Sequence, residues 1–199
     1  MRQKKRAKNN NMLNDALRFL LDVLVQPFAA ILLLRFHLQW LRAPMRNPLG
    51  ELVMALTNFI VLRTRRFIRP IMGLDSATLL LAFVVEVLYL YVLLSVSPFS
   101  DGSFPITGVL VLALIKLLKM SIYLLMAALI VQAILSWLNP HSSIVPLLTS
   151  VTWRFVRPLQ RRIPPMGNVD LSSFALIIIC QLILIVPIAA LENLAREFF

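Results

Sequence analysis

Thr57-Asn-Phe-Ile-Val-Leu-Arg-Thr-Arg-Arg66-Phe-Ile-Arg-Pro-Ile-Met-Gly-Leu-Asp75 returns further along the chain as Thr152-Trp-Arg-Phe-Val-Arg-Pro-Leu-Gln-Arg161-Arg-Ile-Pro-Pro-Met-Gly-Asn-Val-Asp170. The spacing is 95 residues throughout (152 − 57, 161 − 66, 170 − 75). Each copy lies between long apolar stretches, so the chain reads as one membrane-embedded unit that has been duplicated. The repeated segments are where the chemistry of the protein is concentrated.

Around them, 59% of the 199 residues are hydrophobic and the mean hydropathy is +0.83, which excludes an ordinary soluble domain. The net charge of +11 comes from Lys and Arg in the N-terminal segment and beside the apolar runs. That placement suits anionic headgroups and argues against nucleic acid as a partner. The single Cys180 sits inside an apolar run, which rules out an internal disulfide framework and any CxxC site. Its plain reading is a small buried hydrophobe.

Four apolar runs are long enough to cross a bilayer, which needs about 20 helical residues. They are Ala16–Trp40, Ala77–Val96, a span within Ile106–Trp137, and Phe174 to about Leu194. The first follows a basic segment but lacks a small-x-small cleavage site, so it reads as a retained helix. Arg2, Lys4, Lys5, Arg6 and Lys8 make residues 1–14 a flexible basic tail. The chain then divides into a first repeat over 15–96, a short link over 97–105 with Pro98, Asp101, Gly102 and Pro105, and a second repeat over 106–199.

Within each repeat lies a stretch too polar to cross and too apolar to be a free loop. In the first, Leu49, Leu52, Val53, Leu56, Phe59 and Ile60 follow a helical period just after Pro48; in the second, Ile144, Leu147, Leu148, Val151 and Phe155 do. Each stretch predicts a short amphipathic helix in the interface plane, its apolar face towards acyl chains and its arginines reaching phosphates. The fold class is therefore an all-α membrane protein with four transmembrane helices. They form two parallel repeats, each a span, an interfacial amphipathic helix and a second span. Two spans per repeat put both linkers in one leaflet and predict a pseudo-two-fold axis along the membrane normal. The linkers hold six and four Lys or Arg while the link holds none, which places the linkers in the cytoplasm.

Arg65 and Arg66, with Arg157, Arg161 and Arg162, are candidates for binding lipid or partner proteins, the simpler reading being headgroup anchors. Asp75 and Asp170 stand before the second span of each repeat, followed by Ser76 and Ser172, and predict helix N-caps. Gly73 and Gly167 predict tight turns ahead of those caps. Glu86 interrupts the second span; it reads either as a functional carboxyl or as a neutral one hydrogen-bonded between helices. Lys116 and Lys119 read as snorkelling anchors or as cations facing Glu86 or Asp22, and Arg18 as an i+4 partner of Asp22. Pro187 should kink or loosen the fourth span. His37 and His141 stand alone and read as structural or interfacial histidines, a pair of them on a haem being the only cofactor geometry they offer. No nucleophile beside a base, no paired carboxylates and no metal-ligand spacing occur, so the chain reads as a non-enzyme without metal or cofactor.

These residues resemble the YggT family, also called YlmG, of small bacterial and plastid membrane proteins. The marks in the first copy are Arg35-Phe-His-Leu-Gln-Trp40, Asn47-Pro48, Thr57, Arg65-Arg66 and Met72-Gly-Leu-Asp75-Ser76. In the second they are Ile134-Leu-Ser-Trp137, Pro146, Thr152, Arg157-Pro158, Arg161-Arg162-Ile-Pro-Pro165, Met166-Gly167 and Asp170-Leu-Ser172. The pattern is similar to the two-copy bacterial form from about Ala16 onward. It departs where Phe59 and Arg154 replace the proline of the family's Thr-x-Pro element and where the first copy lacks an Arg-Pro before its arginine pair.

The resemblance implies a multi-pass protein of the bacterial inner membrane, without catalytic residues. It also implies links to osmotic tolerance, to division and nucleoid distribution, and to assembly of a membrane cytochrome. Two functions of different class follow. One is a membrane-organising or complex-assembly factor whose basic linkers dock lipid, membrane-protein partners or a second copy. The other is a small oligomeric ion or osmolyte transporter or channel built on Glu86, Lys116 and Lys119.

Overall fold

A computed structural model describes residues 2–68, 75–95, 105–162 and 171–197, with side chains from Met12 onward. The described residues form seven α-helices and no strand. The first half holds α1 (Arg2–Trp40), α2 (Pro48–Thr64) and α3 (Ser76–Ser95). The second half holds α4 (Ile106–Leu138), α5 (Val145–Gln160), α6 (Leu171–Ile183) and α7 (Ala189–Arg196). Four stretches are long and apolar enough to cross a membrane: Met12–Trp40, Ser76–Ser95, Ile106–Leu138 and Leu171–Arg196. Helix α1 runs back to Arg2, through the segment expected to be a flexible basic tail. Its Lys, Arg, Gln and Ala are good helix formers, and adding residues to an existing helix avoids the cost of nucleation.

The ends of these helices are set by local chemistry. Helix α1 stops in a Schellman arrangement: Ala43 N–H donates to Leu38 O at 2.9 Å and Arg42 N–H to Gln39 O at 3.1 Å. Arg42 takes the left-handed conformation that motif needs, with φ of 53°. Leu38 and Ala43 pack together in the core above it. Helix α2 starts at Asn47, whose Oδ1 accepts from Gly50 N–H at 2.9 Å, with Pro48 in the first turn where a missing N–H costs nothing. Pro187 falls in a π-helical turn, Leu184–Ile188, that joins α6 to α7. The wider turn accommodates a residue that has no N–H for the helical ladder.

Trp40 and Trp137 mark equivalent ends of α1 and α4 at a spacing of 97 (137 − 40), while the linker helices and second spans keep 95. The second turn between span and linker helix is thus two residues shorter. Helix α2 packs on α1 and α3, and α5 on α4 and α6. Val53 of α2 shares one core cluster with Leu147, Leu148 and Val151 of α5, so both linker helices lie at the same end of the bundle.

Two sequence expectations need correction. The apolar faces of the linker helices do not all turn towards acyl chains. Val53, Thr57 and Val61 of α2 and Leu147, Leu148, Val151 and Val156 of α5 are buried against the protein, leaving Leu52, Leu56 and Phe59 outward. Burial against neighbouring spans excludes water from those residues as fully as lipid does. The halves also do not close about a two-fold axis. Helix α4 packs on both α1 and α3, whereas α6 packs on α4 and α5, so the second half follows the first like the next step of a stair.

Gly50 tests how tightly α2 is anchored. A Cβ there would lie 2.4 Å from Met45 O and 2.9 Å from Met45 C, both backbone atoms. Gly50→Ala should lower stability by about 1–3 kcal/mol, read as a drop in melting temperature of the detergent-solubilised protein. Arg42→Gly, which relieves a left-handed non-glycine residue, should leave that temperature unchanged or raised.

Candidate functional site

At the linker end of the first half, α1, α2 and α3 bring their polar side chains together. Arg35 is buried, and its Nη1 donates to Thr57 Oγ1 at 2.6 Å and Asn58 Oδ1 at 2.9 Å. Thr57 donates in turn to Val53 O, four residues back, at 2.5 Å. At the C-cap of α2, Arg65 reaches Asp75, Nη2 lying 2.7 Å from Oδ2, and also donates to Gln39 Oε1 at 3.2 Å. Asp75 accepts from the Thr78 hydroxyl as well, and its carbonyl accepts the Thr78 and Leu79 N–H groups that open α3. Burial works against the Asp75 carboxylate. The hydrogen bonds from Arg65 and Thr78 overcome it and hold the carboxyl below its ordinary value.

The second half repeats this arrangement with neutral side chains. Thr152 Oγ1 lies 2.7 Å from Gln132 Oε1 and 3.0 Å from Leu148 O. Gln132 is the counterpart of Arg35 at the span spacing (132 − 35 = 97), and Gln160 is the counterpart of Arg65 at the linker spacing (160 − 65 = 95). Two guanidinium groups have become two amides. Asp170, Gly73 and Gly167 lie outside the described residues.

Further along the spans, a second polar group joins the halves. Glu86 is fully buried, both its oxygens 3.3 Å from Gln26 Nε2, with Lys116 Nζ of α4 at 3.9 Å from Oε1. Lys116 also lies 4.9 Å from the centre of the Tyr89 ring, whose hydroxyl donates to Asp22 Oδ1 at 2.5 Å. Lys119 turns the other way, to Glu192 of α7, with Nζ to oxygen distances of 2.7 and 3.0 Å. The structure therefore brings Glu86 and Lys116 together and leaves Lys119 apart from them. Asp22 takes Tyr89 as its partner, and Arg18 Nε has no hydrogen-bond partner among the described residues.

Sequence reasoning passed over Arg35, Gln26, Tyr89 and Glu192 as site members. Arg35 carried a readable signal, a guanidinium inside an apolar run, because only a buried hydrogen-bond partner makes that tolerable. Gln26 carried a weaker one, an amide that asks for a partner across a helix interface, and Tyr89 carried none.

A cavity of about 620 Å³ lies where α1, α4 and α5 meet, its walls including Leu33, His37, Leu117, Leu124, Leu148 and Phe155. His37 Nδ1 is 2.7 Å from Leu33 O; a carbonyl only accepts, so this nitrogen carries the proton. The two histidines are not equivalent. The span spacing sets Ile134 opposite His37 (134 − 37 = 97), and His141 is exposed in the turn between α4 and α5. No cluster of three or more His, Cys, Asp or Glu suited to a metal occurs among the described residues.

Arg66, Arg157, Arg161 and Arg162 are exposed at the linker end, as are Arg63 and Arg154. Arg154 lies 5.9 Å from the Trp40 ring centre and Arg157 5.7 Å from that of Trp153. Arg65 differs from these in being held by Asp75.

Two predictions follow from the linker-end cluster. Thr57→Val removes the acceptor of a buried guanidinium and should cost about 1–3 kcal/mol, seen by thermal melting, whereas Thr152→Val, facing an amide, should cost less. Asp75→Asn should cost about 1 kcal/mol for the cap alone. A carboxyl held low in the folded state stabilises above its unfolded value, about 3.9, and loses that effect as pH falls. The difference in melting temperature between the unaltered protein and Asp75→Asn should therefore be largest near neutral pH and shrink below about pH 4.

Comparison with known proteins covers this whole arrangement. A family model described as CCB3/YggT matches residues 14–96 and 111–191, the two halves. The Escherichia coli K12 protein named "Uncharacterized protein YggT" is 33% identical over 171 residues, covering 85% of this chain and 87% of the relative. A Vibrio alginolyticus protein, "Uncharacterized protein in proC 3'region", is 32% identical, covering 82% and 89%. A Pseudomonas aeruginosa relative is 27% identical over 93% of this chain and 96% of its own. No solved structure matches. With both halves and most of the chain accounted for in this way, the protein belongs to the CCB3/YggT family.

Proposed function

We propose that the protein is a non-enzymatic membrane-organising or complex-assembly factor. In this reading its two linker helices form a single basic docking face on the cytoplasmic side of the bacterial inner membrane. The observation that supports this is the shared core cluster at the linker end: Val53 of α2 and Leu147, Leu148 and Val151 of α5 gather with Leu38 and Ala43, so two arginine-edged segments lie at one end of the bundle. Arg66, Arg157, Arg161 and Arg162 point away from that core and are exposed. Arg65 serves the fold through Asp75 and adds its charge to the edge of the face. Such a face suits anionic headgroups and acidic surfaces of membrane-protein partners, at about 1 kcal/mol per cation near a charged membrane. The processes implied by resemblance, namely osmotic tolerance, division and cytochrome assembly, are all ones in which a docking face would serve.

A second reading, a small oligomeric ion or osmolyte transporter, is favoured by one observation. Asp22, Gln26, Glu86, Tyr89 and Lys116 form a connected polar group inside the spans. Intramembrane ionisable groups commonly mark ion pathways.

The two readings separate experimentally. The triple variant Arg66→Glu, Arg161→Glu, Arg162→Glu should insert and melt like the unaltered protein. It should lose most photo-crosslinks from the linker helices to membrane proteins and retain several-fold less anionic lipid on purification. Unchanged crosslinks and lipid would remove the docking reading. Solute flux into liposomes that disappears in Glu86→Gln would establish the transporter. A reporter fused after the last span should lie outside the cytoplasm, and finding it inside would reverse the assigned orientation.

A further inference from the structure

The joint between the halves can be compared, residue by residue, with what the outer ends of the chain leave bare. At the joint, Ala82, Glu86 and Leu90 form one face of α3 and are all buried. Val109, Ala113 and Leu117 of α4 cover them, with Lys116 opposite Glu86. In the second half the counterparts of the α3 face, at the spacing of 95, are Ile177, Gln181 and Ile185. Ile177 is half-buried beside the cluster of Leu176 and Cys180, while Gln181 is exposed and Ile185 is 59% exposed. In the first half the counterparts of the α4 face, at the spacing of 97, are Met12, Ala16 and Leu20, with Phe19 in the place of Lys116. All four are exposed, Phe19 at 65% and Leu20 at 52%.

From this we infer that the protein assembles with further copies of itself head to tail, the α6 face of one chain receiving the α1 face of the next. The two bare surfaces are the two sides of a joint the molecule already makes once inside itself. Exposed apolar residues alone would carry no such conclusion, because spans normally meet lipid. One feature adds to them. The stair-like relation of the halves, with α4 on α3 and α6 on neither α1 nor α3, is a relation that leaves both ends open. A repeated heterologous contact of this kind generates a ring or an open row rather than a two-fold dimer.

The contact also has the packing a membrane interface requires. Without a hydrophobic driving force between spans, close approach depends on small residues, and Ala113 supplies this at the internal joint with no exposed surface. Ala16 stands in its place at the outer end. The charged pair of the internal joint, Glu86 with Lys116, is replaced by Gln181 with Phe19, so the outer contact forms without ions being taken out of water.

Cysteine crosslinking tests the direction as well as the existence of the contact. In a Cys180→Ala background, one tagged chain carries Ala16→Cys and a differently tagged chain carries Ile185→Cys. Oxidation in native membranes should join the two tags, and neither single variant should crosslink to itself. Native mass spectrometry from lipid nanodiscs should give multiples of the 22.6 kDa chain. Ala16→Trp, at an exposed position where the fold tolerates bulk, should return the mass to one chain without shifting the melting temperature. Self-crosslinking of Ile185→Cys alone would mean a two-fold contact and overturn the inference. So would a single-chain mass for the unaltered protein, or oligomers indifferent to Ala16→Trp.

Discussion

A helix that lies beside a bundle without crossing the membrane has to be tied to helices that do, and in both halves a threonine hydroxyl makes that tie. Thr57 and Thr152 are buried on the inner faces of the linker helices, each bonded to the carbonyl four residues back and to a polar side chain of the preceding span. A hydroxyl can donate once and accept as well, so Thr57 satisfies its own turn and receives Arg35 at the same time. Everything at the linker end follows from that contact. It fixes the depth of Arg35, brings the end of α2 over Asp75, and sets the side on which Arg66 emerges.

The duplication preserves this geometry and changes its charge. Arg35 and Arg65 in the first half correspond to Gln132 and Gln160 in the second. The first half therefore carries a buried cation, Arg35, and an exposed one paired with Asp75, Arg65, and the second carries amides. The exposed arginines show no such change, because Arg42, Arg46, Arg63 and Arg66 are exposed in the first half and Arg154, Arg157, Arg161 and Arg162 in the second. What the first half adds is an inward pair of contacts, Arg35 on Thr57 and Arg65 on Asp75, that holds the linker end together. A docking face composed of both linkers accordingly draws its charge from both halves.

Much of this was legible from residues alone. The four spans followed from run length, the linker helices from helical periodicity, and the shared end of both linkers from the even number of spans in each repeat. The outward and inward faces of α2 were not legible, because apolar residues occur on both sides of it and only packing decides which meets protein. The stair-like relation of the halves could not be read either: counting spans fixes the sense of a repeat, not which neighbour its helices choose. Lys119 with Glu192 spans 73 residues, and nothing local distinguishes that pair from Lys119 with Glu86. Arg65 with Asp75 was nearer to hand, ten residues apart in the chain, but equal emphasis on every arginine of the repeat hid the one that serves the fold.

The polar group at the joint bears on where the function resides. Glu86 is met by an amide and a cation, and Lys116 by a carboxylate and an aromatic face, so each of these side chains is occupied by another. Buried ionic contacts of this kind add little net stability compared with apolar packing, and their best-attested use is to fix register. Here they would fix how α4 seats on α1 and α3, since sliding α4 by one turn moves Lys116 about 5.4 Å along its axis and separates it from both Glu86 and Tyr89. A group that sets register by mutual pairing has no site to offer a passing ion while the joint remains closed. The arginines at the linker end are under no such constraint, and they are the charges the fold leaves available to another molecule.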